Sequence, residues 1–250
     1  MSKASVVETL YPEVAAGGFS RVDGNIEFYG RINALLTPTM TLLDFGAGRG
    51  KDATDDPVAY RRGLRVLKGK VAEVVGVDTD PAVLANPSLD RAIVVGEHDP
   101  LPFSDASIDL VVSDFCFEHL SDPHAAAREL DRVLKPLGWI CARTPNRRGY
   151  IGVGARAFPN HLHDTVLRRL QPGRQRQDMF PTKYRINTRK QIATFFPPSD
   201  YTDCTYGFDS EPAYFGSSLV ATRVAKAFIG VTPEPFSALL YIFLQKRVSP

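Results

Sequence analysis

Short apolar runs alternating with helix-period segments over residues 41–142 constrain this 250-residue chain more than any other feature. Residues 41–45 (TLLDF), 74–78 (VVGVD), 92–96 (AIVVG) and 108–113 (IDLVVS), and a run opening at Trp139 (WICA), have strand length and β-branched composition. Between them, residues 57–68 place Tyr60, Leu64 and Leu67 on one helical face. Residues 123–134 do the same with Ala127, Leu130, Val133 and Leu134. Strands that are apolar throughout are buried on both faces, which implies a parallel sheet covered by helices on each side. Right-handed crossovers then make the sheet doubly wound.

The flanks are weaker in pattern. Ile26, Tyr29, Ile32 and Leu36 predict a helix that ends before Pro38, and residues 217–229 suit another. Residues 236–245 (FSALLYIFLQ) read as a buried last strand, and residues 135–138 (KPLG) as a turn before the fifth. The first twenty residues show no strong period and are expected to be a loose arm. Net charge is only +2, so the chain as a whole is no polycation. Cys116, Cys141 and Cys204 are scattered, without a CxxC pair or zinc-finger histidines, which fits reduced thiols and argues against a metal site. There is no basic-then-apolar leader and no apolar run of membrane-spanning length, so a cytoplasmic protein is expected.

The first strand runs directly into Gly46-Ala47-Gly48-Arg49-Gly50. Ligands of open α/β sheets sit at the carboxyl ends of the strands, where glycines let the backbone approach closely. The GxGxG spacing alone fits a ligand cradle or a tight strand–helix turn. Asp78 ends the second strand, where a carboxylate can accept ribose hydroxyls. Asp80, ahead of Pro81, is the better helix cap of the two. After the third strand, Glu97 and His98 stand in GEHDPLPF, which suits either a base-facing loop or a surface turn.

These pieces occur in order. LLDFGAGRG, VVGVDTDPAVL, GEHDPLPFSDASIDLVVSDFCFEHLSDP and LDRVLKPLGWICARTPN resemble the successive motifs of class I S-adenosylmethionine (SAM)-dependent methyltransferases of the methyltransferase type 11-like subgroup. The resemblance implies a Rossmann-like, mostly parallel seven-stranded sheet with SAM as cofactor. Carried over by position, Gly46, Gly48 and Gly50 border the methionine part of SAM, and Asp44 holds its amino group. Asp78 binds the ribose, and Glu97 with the His98 backbone faces the adenine. Ser113 and Asp114 border the amino group or sulfonium. Glu97 departs from the family, which more often has Asp there.

Methyl transfer from a sulfonium needs alignment and, for a hydroxyl acceptor, removal of a proton. His119, in FEHL past the fourth strand, is the candidate base; it equally suits a packing role. Residues 147–190 hold eleven Lys or Arg against Asp164 and Asp178. That basic stretch, placed as a cap insertion after the fifth strand, is either a solvated amphipathic surface or a cradle for an anionic acceptor. Asn146, Tyr184 and Arg185 are the candidate acceptor-binding residues, and Thr188 caps the helix that follows. His161 and His163 form an HLH pair without an evident third metal ligand. One domain is expected, with a SAM-binding core over 20–145, the basic cap over 146–200 and sheet-completing elements over 201–250. The expected activity is methyl transfer, preferably to oxygen, on a small-molecule or glycan-type acceptor. The alternative is a non-catalytic SAM- or nucleotide-binding protein acting through its basic insert. Peripheral membrane contact is compatible with the charge, and nucleic acid is not expected because no recognised module is present.

Overall fold

The computed structural model describes residues 3–157, 182–213, 215 and 218–248. His161, His163 and four of the eleven basic residues of the expected cap (Arg168, Arg169, Arg174 and Arg176) lie outside the described residues.

Five parallel strands form the core of the sheet: β1 (Thr41–Phe45), β2 (Glu73–Asp78), β3 (Arg91–Val94), β4 (Ile108–Asp114) and β5 (Leu134–Pro145). The strand order is β3-β2-β1-β4-β5, followed by antiparallel β8 (Leu239–Lys246). Two short strands, β6 (Tyr201–Asp203) and β7 (Tyr206–Phe208), both pair with β8. Among the described residues the sheet therefore has eight strands where seven were expected, because the segment pairing with the far side of β8 splits at Cys204 and Thr205 into β6 and β7.

Period-2 alternation fills both faces of the sheet. Leu43, Val111, Ile140, Ala142, Ile242 and Leu244 point to one side. There they meet Leu130 and Val133 of α5 (Pro123–Val133) and Ile192 of α7 (Arg189–Phe195). Leu42, Val112, Cys141, Tyr241 and Phe243 point to the other and meet Phe28, Tyr29 and Ile32 of α2 (Gly24–Leu35). The caps are local and polar. Asp23 accepts from Asn25 and Ile26 at the start of α2, and Asp122 accepts from His124 and Ala125 at the start of α5. Thr188 caps α7 through the Gln191 amide, as its position predicted.

Two expectations need correction. The first twenty residues are not a loose arm: α1 (Lys3–Leu10) and a 3-10 turn (Pro12–Ala15) pack with Val6 and Tyr11 buried. Lys226 of α8 (Leu219–Val231) donates to the Leu10 carbonyl at 2.6 Å and sits 3.9 Å from the Tyr11 ring centroid. Lys226, with the Ser20 hydroxyl that donates to Glu211 at 2.5 Å, supplies an anchor that no periodicity announced. Residues 135–138 are not a separate turn before β5 either. They are absorbed into it as an irregularity, with pairing stepping from Ile108↔Leu134 to Leu110↔Trp139 and Leu137 at a φ of 64°. The remaining described helices are α3 (Lys51–Thr54), α4 (Ala59–Arg65) and α6 (Tyr150–Ala157).

Candidate functional site

The carboxyl ends of β1, β2 and β4 meet at one edge of the sheet, and the glycine loop turns there. Gly46, Gly48 and Gly50 all have positive φ, at 79°, 51° and 67°. Gly46 and Ala47 donate to the Val77 carbonyl at 2.9 and 3.1 Å, which ties the loop to β2. A Cβ on Gly46 would fall 2.5 Å from Cys116 Sγ, and one on Gly50 2.0 Å from Asn86 Oδ1. A Cβ on Gly48 would meet nothing within 4 Å, so this residue alone of the three turns its Cα to open space. Asn86, buried and not anticipated from the sequence, donates to the Ala47 and Gly48 carbonyls at 3.0 and 3.1 Å. An Asn held beneath a glycine loop has no sequence signal beyond its place after the 3-10 turn Pro81–Ala85.

Asp78 lies beside that loop. One carboxylate oxygen accepts from the Gly48 amide at 2.8 Å, the other from the Asp80 amide at 2.8 Å. Each oxygen keeps a second acceptor direction. Asp80 accepts from Ala82 at 2.8 Å and caps the next turn, as its position suggested.

Asp44, near the end of β1, borders a small cavity with Tyr29, Arg65 and Ser88. Burial, and then the neighbouring charges of Asp114 and Asp78, push its carboxyl up to about 7. Asp114 goes the other way. Burial alone would raise it, but the Arg143 charge and hydrogen bonds outweigh that and hold it below its ordinary range. Arg143 grips Asp114 through Nε and a terminal nitrogen at 2.5 and 2.8 Å. The same guanidinium reaches the Gly24 carbonyl (3.1 Å) and Asn25 Oδ1 (2.6 Å), pinning the start of α2 over the site. Tyr29 donates to Asp114 at 2.9 Å. Ser113 is fully buried and donates to the Phe45 carbonyl at 3.0 Å. Phe115, which follows Asp114, takes a φ of 55° beneath Arg143, a strained turn of the kind that marks functional edges.

Past β4, the 3-10 turn Phe117–His119 carries His119 with Nε2 4.0 Å from Glu118 Oε1. Glu118 is buried and accepts from Thr144 Oγ1 at 2.8 Å, and Thr144 in turn accepts from Asn187 Nδ2 at 2.6 Å. The Glu118 carbonyl accepts from the Lys183 and Tyr184 amides at 2.7 and 3.2 Å. The chain returning to α7 is thereby laid against the turn that holds His119. Arg185 donates to the Ser121 carbonyl, and Glu97 accepts from the Ser121 hydroxyl with Lys183 Nζ at 3.6 Å. That hydrogen bond, with the Lys183 charge, holds the exposed Glu97 carboxyl below its usual value. His98 is exposed in the same loop. Asn146 is the outlier: it is buried, donates to the Pro235 and Ser237 carbonyls at 3.1 and 2.9 Å, and accepts from the Arg148 amide at 3.0 Å. Its side chain serves the backbone.

Thus Asp44, Gly46, Gly48, Gly50, Asp78, Ser113 and Asp114 converge at the ends of three adjacent strands. Glu97, Ser121, His119, Tyr184 and Arg185 line the loops beyond them. Among the described residues, no group of acids, histidines and cysteines has the geometry of a metal site.

Residues 43–142 match the methyltransferase domain family. Malonyl-[acyl-carrier protein] O-methyltransferase 1 of Coxiella burnetii is 32% identical over 114 residues, covering 46% of this chain and 36% of that protein. Malonyl-[acyl-carrier protein] O-methyltransferase of Methylococcus capsulatus is 31% identical over 119 residues, covering 45% of this chain and 40% of that one. The matched part thus spans about two fifths of the length of these curated relatives. A SAM-dependent methyltransferase from Methanosarcina mazei shares the fold, with a TM-score of 0.54 at 18% identity over 88% of this chain and 98% of its own.

Proposed function

Because residues 43–142 belong to the methyltransferase domain family, we propose that the chain binds SAM at the carboxyl edge of β1, β2 and β4 and transfers its methyl group to a small-molecule or glycan-type acceptor, preferably at oxygen. The observation that carries the reading is the Gly48–Asp78 pair. A glycine with open space at its Cα stands beside a carboxylate oriented by two backbone amides, both at the end of a parallel strand pair.

SAM, when bound, supplies the activated methyl, so the protein's work is positioning. Asp78 accepts the ribose hydroxyls with the acceptor directions that Gly48 and Asp80 leave open. Within the Gly46–Gly48–Gly50 turn, Gly48 offers the open, side-chain-free approach to the methionine moiety. Asp44, raised by its burial and then by its acidic neighbours, is the carboxylate that gains most from an ammonium group placed near it. Asp114, neutralised by Arg143, fixes the shape of the pocket floor. Glu97 and the His98 backbone take the adenine side. His119 stands on the acceptor side, where it takes the proton of a hydroxyl acceptor. Tyr184 and Arg185 border that space from the returning cap segment, and Arg185 suits an anionic acceptor. The two curated relatives are O-methyltransferases by name, which supports oxygen as the acceptor atom.

Calorimetric titration with SAM tests the cofactor half. Binding that weakens in Asp78→Ala is expected; no heat with the wild-type chain overturns the proposal. Mass spectrometry of acceptor extracts incubated with methyl-labelled SAM tests the second half. A labelled product lost in His119→Ala is expected, and retained activity in that variant removes the base role.

A further inference from the structure

Helix α8 is inside out. It buries Thr222 and Ala225, while Val220, Val224, Phe228 and Val231 are 72%, 66%, 58% and 79% exposed. Their spacing of four, four and three residues puts them in one stripe on the outer face. Val224 and Phe228 of the stripe also line an apolar groove of about 450 Å³, with Tyr150 of α6, Phe215, Ala221 and Ile229. The charges of the helix are Arg223, exposed at the margin of the stripe, and Lys226, turned to the opposite side against Leu10 and Tyr11. No acid occurs in residues 218–231. Glu234, just beyond, is held by Arg189 and the Gly207 amide. Exposed Arg147 and Arg148 stand just ahead of α6 in the chain.

Four large apolar side chains exposed in one stripe need a cover. The helix has thirteen residues, about 20 Å of length. A stripe of that length and one helix face wide offers roughly 200–300 Å², well under the about 800 Å² per partner of a stable protein interface. Pairing with the same helix of a second copy would also bring no acid from that helix to Arg223. A bilayer has no such area requirement. It accepts an apolar stripe a few ångström deep and rewards basic residues at its margin. We propose that α8, with the adjoining groove and Arg223, is a docking face for an anionic lipid surface. The inference stands independently of the methyl-transfer reading.

Flotation of the full chain with phosphatidylcholine vesicles, alone or mixed with phosphatidylglycerol, tests it. Binding is expected on the mixed vesicles, weaker on the neutral ones and reduced by salt. Phe228→Asp should lower the partition about tenfold or more, and Arg223→Glu should remove the preference for anionic lipid. Both positions are exposed, so the variants should keep the wild-type thermal melt. Phe228→Trp should show blue-shifted emission when mixed vesicles are added. Absence of binding, equal binding to neutral and anionic vesicles, or unchanged binding of Phe228→Asp overturns the proposal. So does a dimer that Phe228→Asp dissolves in a chain that ignores vesicles, since a second copy is then the cover.

Discussion

Arg143 and Asp114 are register partners on β5 and β4, and they face each other as a two-pronged ion pair at the last residue of β4. The pair is almost wholly screened from water and carries α2 on its outer side through Gly24 and Asn25. Removing one member leaves a buried charge without its partner. Arg143→Met should therefore cost about 3–5 kcal/mol in urea unfolding at pH 8. The carboxyl of Asp114 is depressed in the folded protein, so the pair stabilises above the ordinary carboxylate range and that contribution is lost as pH falls through the folded value. The penalty of Arg143→Met should accordingly shrink as pH falls below about 4, and the double variant with Asp114→Asn should recover part of it. A cost below about 1 kcal/mol at pH 8 would mean that the pair behaves as a surface pair.

Asp44 has the opposite sign. Its carboxyl is raised to about 7, above its unfolded value, so the folded state binds the extra proton between about pH 4 and 7. The stability from that proton is full below the unfolded pKa and lost as pH rises through 7. Asp44→Asn should stabilise the ligand-free protein at pH 8 by about 2–4 kcal/mol, with little gain at pH 4. The same substitution should weaken SAM binding, and wild-type affinity should rise from pH 6 to pH 8. Thermal melts at both pH values, without ligand, decide the first point; a flat difference between them refutes it.

The glycine loop separates conformation from contact. Gly50→Ala places a Cβ against Asn86 in a left-handed conformation, and Asn86 holds two carbonyls of the loop. Strain of about 1–2 kcal/mol, with the displaced Asn86 added, should lower both stability and SAM affinity. Gly48→Ala meets open space and should lose only the conformational part. If the space belongs to the cofactor, Gly48→Ala should nonetheless lose as much affinity as Gly50→Ala. Equal affinity to wild type in Gly48→Ala would remove Gly48 from the proposed cradle.

The parallel core was legible because its signal is local. Five apolar runs of strand length, the Asp80 and Thr188 caps and the α5 stripe each depend on neighbours a few residues away. Residues that act across the sheet were not legible. Arg143 looks like the polar end of an apolar run, and only the structure brings Asp114, Gly24 and Asn25 around it. An arginine inside an apolar strand was nevertheless a clue, since such a charge needs a partner. Asn86 and Asn187 gave no comparable clue, because a buried asparagine and a surface one look alike in sequence. Asn146 shows the converse: its place after β5 suggested ligand contact, whereas its amide serves the carbonyls of residues 235 and 237.

Asn187, Thr144 and Glu118 form a buried relay from the cap return to the turn carrying His119. Asn187 donates to Thr144 Oγ1 and to the Pro145 carbonyl, and Thr144 donates onward to Glu118. Thr144→Val keeps the shape but removes the middle of the chain, so one buried donor and one buried carboxylate each lose a partner. Each of Thr144→Val and Asn187→Ala should cost about 1–3 kcal/mol. Because both remove the same Asn187–Thr144 bond, the double variant should cost less than the two singles together. Additive costs in chemical denaturation would refute the relay. Under the proposed assignment of Tyr184 and Arg185 to the acceptor side, Asn187→Ala should also raise the acceptor KM while leaving SAM affinity near wild type, since Asp78 and the glycine loop lie at the other end of the site. A matching loss of SAM affinity would show that the disturbance spreads through the whole sheet edge rather than through the cap return.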